Sequence, residues 1–169
     1  MPRLRPQHVA IASAALTAAS LASHVRPVTI PPHCTMAGVS LPDPKCTPGV
    51  TNPSVTQANI QTTICSPGYT RTIRPPVSYT NPLKIKLMAS YGDTGAARDY
   101  ELDHYIALEL GGNPTSPQNL WPEPFAPVPG ASEKDKVENF LNKQVCSGTM
   151  TLAEAQHLIS TDWTKVKIK

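Results

Sequence analysis

The sequence predicts a small α+β domain, and three observations carry that prediction. One run alternates strictly between apolar and polar residues, several others repeat with helical period, and four cysteines are spread over a chain of 169 residues. The length suits one ordinary domain. With 19 prolines and 9 glycines, long irregular connections are expected, although the composition stays below that of disordered chains. Lysine and arginine number 15 against 12 aspartate and glutamate. Without Arg3 and Arg5 the count is 13 against 12, so net charge favours no class of partner.

Arg3 and Arg5 belong to a segment with the order of an export signal. With His8 they precede an uncharged run, Val9 to Ser23, that ends in small residues. The run is shorter than the roughly 20 residues a bilayer-spanning helix needs. Residues 1–22 are therefore read as a signal peptide cleaved after Ala22, which places the mature chain outside the cell or in the periplasm, with no stable membrane association. Cys34, Cys46, Cys65 and Cys146 all lie beyond that point and form no CxxC pair. Disulfides are expected rather than zinc. Four cysteines allow three pairings, and the sequence does not choose among them; Cys65 with Cys146 and Cys34 with Cys46 is the preferred one.

Residues 23–52 read as a Pro-rich irregular arm, and 53–169 as the folded domain. Asn52 and Pro53 suggest a short helix through about Thr63. Tyr69 to Arg74 suggests a strand stopped by Pro75 and Pro76. Thr80, Asn81 and Pro82 open a helix on which Leu83 and Leu87 share a face, ending at Gly92. Tyr100 to Leu110 is the alternating run: Leu102, His104, Ile106, Leu108 and Leu110 fall on one side, and Glu101, Asp103, Tyr105 and Glu109 on the other. Gly111 and Gly112 end it, and Asn119 to Trp121 is a return strand. From Ser132 the period becomes helical, with Val137, Phe140, Leu141 and Val145 on one stripe. A second helix begins at the capping pair Thr151 and Glu154. Trp121 and Trp163 are expected in the core.

The chemistry concentrates in the segment from about 100 to 146. Asp103 and His104 stand on the first strand, Gly111 and Gly112 in the loop, Asn119 with Leu120 at the second strand 15 residues after His104, and a helix follows. This order resembles the HNH, or His-Me finger, endonucleases and their ββα-metal motif. The resemblance implies an HNH-like domain over 53–169 and a metal-dependent endonuclease hydrolysing nucleic-acid phosphodiester bonds. DNA is favoured over RNA and is contacted through its phosphates, and an inhibitor protein is a possible partner. It also implies one divalent ion, Mg²⁺ first and Mn²⁺, Ni²⁺ or Zn²⁺ as alternatives.

The residue types suit that reaction. A phosphodiester is an anion that repels nucleophiles, so cleavage needs a positive charge near the phosphate and a base for the nucleophile's proton. An imidazole with an ordinary pKa of about 6.5 accepts a proton near neutrality. The resemblance therefore assigns His104 as general base, Asp103 as metal ligand and Asn119 as the residue orienting the loop. Successive strand side chains alternate, so Asp103 and His104 can share one metal only if the strand bends or bulges between them. The family's third position, commonly His or Asn, falls on Val128, which cannot ligate. The helical wheel supplies replacements: Glu138 as ligand with Glu133 next, and Lys134 as a phosphate contact alongside Arg74. Glu101 and Glu109, on the Asp103 side, are expected to be solvated. The alternative to an enzyme is an extracellular binding or structural module that keeps the ββα fold without a working site.

Overall fold

The computed structural model describes residues 29–168; the expected signal peptide lies outside them. The chain forms a small mixed α+β domain. Its helices are α1 (Tyr69–Ile73), α2 (Val77–Tyr91), α3 (Ala131–Cys146) and α4 (Leu152–Asp162), and its strands are β1 (Tyr100–His104) and β2 (Leu120–Pro124). The strands form an antiparallel ribbon in one-to-one register, from Tyr100 opposite Pro124 to His104 opposite Leu120. Among the described residues no helix is long and apolar enough to cross a membrane.

The ribbon is layered between helices. Leu102 and Leu120 pack on Leu83 and Leu87 of α2, each fully buried leucine contributing about 1.5–3 kcal/mol. The opposite face meets α3, whose stripe of Val137, Leu141 and Val145 joins Leu152, Ala155 and Ile159 of α4 and both tryptophans in the larger core. The reciprocal cap at Thr151 and Glu154 starts α4, with the Glu154 amide donating to Thr151 Oγ1 at 3.2 Å and the Thr151 amide donating to Glu154 Oε2 at 2.8 Å. Helix α3 begins at Ala131, one residue before Ser132, and its cap is made by Glu133, which accepts from the Gly130 amide at 3.0 Å.

Several sequence expectations change, and the return strand expected at Asn119–Trp121 runs instead from Leu120 to Pro124. The run at Tyr69–Ile73 is helical, entered through Gly68 at φ 84°; five residues are too few for their spacing to decide, and among the described residues the only sheet is the β1-β2 pair, which leaves them no strand to join. Helix α2 begins at Val77, earlier than expected, because Pro76 occupies the position just before it, where a missing N–H costs nothing. The helix expected from Asn52 is a 3-10 turn at Gln57–Thr62, since Asn52 instead accepts from the Ser54 amide at 3.0 Å. The strand expected through Leu110 stops at His104, and Leu108–Leu110 is a 3-10 turn.

The Pro-rich segment 29–52 has no regular element, yet it is stitched to the domain. The Cys34 amide donates to Ser90 O at 2.9 Å, the Asn113 amide to Val50 O at 2.7 Å and the Asn52 amide to Gly111 O at 2.8 Å. Trp163 Nε1 donates to Ser40 O at 2.9 Å. The disulfides pair Cys34 with Cys46 and Cys65 with Cys146. Two disulfides belong in an oxidising compartment, extracellular or periplasmic.

Candidate functional site

The ribbon's two faces separate the residues that the resemblance brings to one metal, as strict alternation predicts. Because the register is regular up to His104, Leu102 and His104 face α2, whereas Asp103, Trp121 and Glu123 face α3. No bulge brings Asp103 and His104 to one point; the chain bends only afterwards, at Tyr105 and Ile106.

On the α2 side, His104 is 6% exposed and lines a cleft of about 360 Å³ with Arg74, Thr80, Asn81, Glu101 and Phe125. Its Nε2 lies 3.0 Å from Pro114 O. A carbonyl only accepts, so Nε2 carries the hydrogen and Nδ1 keeps its lone pair. Burial pushes the imidazole pKa below its usual value, partly offset by the Pro114 carbonyl and the Asp103 charge, so the ring is neutral at pH 7 and able to accept a proton. Arg74, exposed after α1, supplies the cleft's guanidinium. The Lys84 ammonium is spent on the carbonyls of Ala97 and Tyr100. A larger depression of about 590 Å³ lies over the Cys65–Cys146 bond, but it lacks His104 and Arg74, so the smaller cleft is the chemical candidate.

Asn119 fixes the loop that carries Pro114. It is fully buried, and its side-chain amide takes the place of a strand residue. Oδ1 accepts from the Ile106 amide at 2.9 Å, and Nδ2 donates to Ile106 O and Asn113 O, each at 3.0 Å. Asn113 Oδ1 in turn accepts from the amides of Thr115 and Ser116 at 3.0 and 2.9 Å, and Tyr79 donates its hydroxyl to Thr115 O at 2.6 Å. Gly112 is required here, since a Cβ would lie 1.7 Å from Ile106 O.

On the α3 side, Lys134 is fully buried. Its Nζ lies 2.7 Å from Asp103 Oδ2, bonds Glu138 Oε1, and donates to the His104 carbonyl at 3.0 Å. Trp121 Nε1 adds a bond to Asp103 Oδ2 at 3.3 Å. Against the desolvation that lowers it, the Asp103 and Glu138 carboxylates raise the Lys134 pKa. Burial pushes Glu138 up, opposed by Lys134. Glu123 is also fully buried, neither of its oxygens has a hydrogen-bond partner among the described residues, and burial followed by the Asp103 charge pushes its pKa far above the carboxylate range.

Asp103 and Glu138, expected as ligands of a divalent ion, thus converge on a cation, but it is an ammonium. Lys134, expected at a phosphate, is buried because its carbon chain crosses the inner face of α3 to reach Asp103. Glu133 caps α3 instead of facing the site, and Val128 is 73% exposed on the loop before that helix. A hard cation needs several oxygen ligands turned toward it. Asp103 and Glu138 turn theirs to Lys134, and the imidazole lies across the ribbon. Among the described residues no group of three or more His, Cys, Asp or Glu side chains is arranged to hold a metal. The residues present do not fit the expected Mg²⁺, Mn²⁺, Ni²⁺ or Zn²⁺ site.

Glu123 and Trp121 are parts of this cluster that the sequence did not mark as site residues. The signal was present, since alternation from Asp103 and its partner Trp121 puts Glu123 on the same face, but the surrounding prolines disguised the strand. No protein-family model, curated protein or solved structure matches the chain.

Proposed function

We propose that the chain is an exported nuclease of the HNH type that cleaves nucleic-acid phosphodiester bonds in the cleft between α2 and β1. The order β1, Gly111–Gly112 loop, β2 and α3 supports the likeness to the ββα finger. The observation that carries the reading is the anchoring of His104 Nε2 on the Pro114 carbonyl at 3.0 Å, which leaves Nδ1 as the basic atom of a ring that lines a cleft containing Arg74.

In this reading a phosphate sits against the Arg74 guanidinium, which neutralises the charge growing on its oxygens. The nucleophile's proton passes to His104 Nδ1, an assistance typically worth about 10²- to 10⁴-fold. Asn119 contributes by holding the loop whose carbonyl fixes the ring. Neither Asp103 nor Glu138 touches the phosphate; both belong to the Lys134 cluster that supports β1 from behind.

The test is cleavage of plasmid DNA and of a long RNA by the disulfide-bonded protein and by His104→Ala, with far-ultraviolet circular dichroism showing that the variant is folded. Cleavage by the wild type and its loss in the variant support the reading. Equal cleavage by both removes His104 from the chemistry, and cleavage by neither favours the binding or structural module.

A further inference from the structure

We propose, on the reading just given, that the substrate is RNA, cleaved without a bound divalent ion through its own 2′-hydroxyl. The ribbon puts the base and the cation-holding carboxylates on opposite faces, and the place between those carboxylates is filled by the Lys134 ammonium. That ammonium is fully buried, so it supports β1 and the His104 carbonyl but does not reach a phosphate. The cleft therefore pairs a neutral imidazole with a guanidinium, and the Glu101 carboxyl lies beside them.

That pair of groups discriminates between nucleic acids. DNA hydrolysis requires a water molecule to be generated as hydroxide and positioned, work commonly done by a metal ion. In RNA the nucleophile is already tethered next to the phosphorus, and well-oriented intramolecular attack reaches effective molarities of about 10⁵–10⁸ M. A base for the 2′-hydroxyl and a cation for the phosphate then suffice. Thr80 and Asn81, which line the same cleft, provide neutral hydrogen-bonding groups suited to a ribose.

The step balances as follows. His104 Nδ1 takes the 2′-hydroxyl proton while the 2′-oxygen bonds to phosphorus. The bond from phosphorus to the 5′-oxygen breaks, leaving a 2′,3′-cyclic phosphate, and the departing oxygen takes a proton from water in the open cleft. The imidazolium returns its proton to the hydroxide so formed. Arg74 remains charged throughout, facing the phosphate oxygens.

The experiment uses one oligonucleotide sequence in three forms, all-RNA, all-DNA, and DNA with a single ribonucleotide. Each is incubated with the disulfide-bonded chain in excess EDTA and, separately, in Mg²⁺ or Mn²⁺. Expected are cleavage of the RNA at a similar rate in all conditions, cleavage of the mixed strand only after its ribonucleotide, no cleavage of DNA, and 2′,3′-cyclic phosphate ends. His104→Ala should slow RNA cleavage by about 10²- to 10⁴-fold. DNA cleavage, or RNA cleavage that EDTA abolishes and Mn²⁺ restores, overturns this inference while leaving a nuclease. Failure to cleave any strand under any condition overturns the nuclease reading itself. A readout independent of activity accompanies these: Mn²⁺ should not raise the thermal unfolding temperature of the wild type, and a rise that Asp103→Asn and Glu138→Gln remove would show that the two carboxylates hold a metal after all.

Discussion

The ammonium of Lys134 and the carboxylate of Asp103 meet at 2.7 Å inside the domain, where a helix and a strand exchange opposite charges away from water. Removing one partner of such a pair leaves the other charge buried and uncompensated, which costs about 3–5 kcal/mol. Lys134→Met should therefore lower the unfolding temperature by roughly 10 °C or more. Combining it with Asp103→Asn and Glu138→Gln should recover much of that loss, because the charges left without a partner go too. Thermal unfolding of the single and triple variants at pH 7 checks this, and an unchanged midpoint in Lys134→Met would contradict the buried pair.

Asn119 is the second point at which one side chain supports much of the site. Asn119→Asp preserves shape but replaces the Nδ2 donor, leaving the carbonyls of Ile106 and Asn113 facing an acceptor. An unsatisfied buried polar group costs about 1–3 kcal/mol, so the variant should lose roughly 2–6 kcal/mol in urea unfolding. Its remaining folded fraction should also cleave more slowly, because the Pro114 carbonyl no longer holds the imidazole in place. Wild-type stability in this variant would show that the amide is not the loop's anchor.

Glu123 gives the stability a pH dependence of definite sign. Its pKa rises from 4.5 on folding, through burial first and the Asp103 charge second. Above pH 4.5 the unfolded chain releases a proton that the folded chain keeps, so stability from this group is present at low pH and declines as pH rises through the folded value. The slope from one proton is at most about 1.4 kcal/mol per pH unit. Glu123→Gln should therefore gain on the wild type between pH 5 and pH 8, measured by urea unfolding at each pH. A constant difference would mean that Glu123 titrates normally.

How much of this was legible in the sequence depended on whether one residue's environment could be read from its neighbours. Alternation located β1 and put His104 opposite Asp103, and the capping pair located α4, because those signals are local; of β2 only Leu120 and Trp121 were legible, since Pro122 and Pro124 disguised the rest. The end of β1 at His104 was hidden: Leu108 and Leu110 continue the alternation, but the Asn119 amide takes the backbone groups of Ile106 that a longer strand would use. The destination of Lys134 was hidden as well. A helical wheel ranks directions and not partners, and the partner that draws this ammonium inward is a carboxylate 31 positions away in the chain. The short helix α1 depended on Gly68 and on the absence, among the described residues, of a further strand to pair with, which six residues of sequence do not reveal.

The Cys65–Cys146 bond spans a sequence separation of 81, and closing a loop of that size in the unfolded chain contributes about 4–5 kcal/mol by chain entropy. The Cys34–Cys46 bond, with a separation of 12, contributes about 3 kcal/mol on the same basis. Replacing Cys65 and Cys146 together by serine should therefore destabilise more than replacing Cys34 and Cys46, measured by denaturant unfolding. The reverse order would show that the N-terminal segment matters more to the fold than the long cross-link.

The proposed chemistry stands on the state of one ring, and a long-range proton–nitrogen correlation spectrum of the histidines, assigned with His104→Ala, observes it directly. At pH 7 His104 should give the neutral pattern with hydrogen on Nε2 and a bare Nδ1, and it should titrate below pH 6.5. Hydrogen on Nδ1, or an imidazolium at pH 7, would leave no base in the cleft and contradict the proposed chemistry.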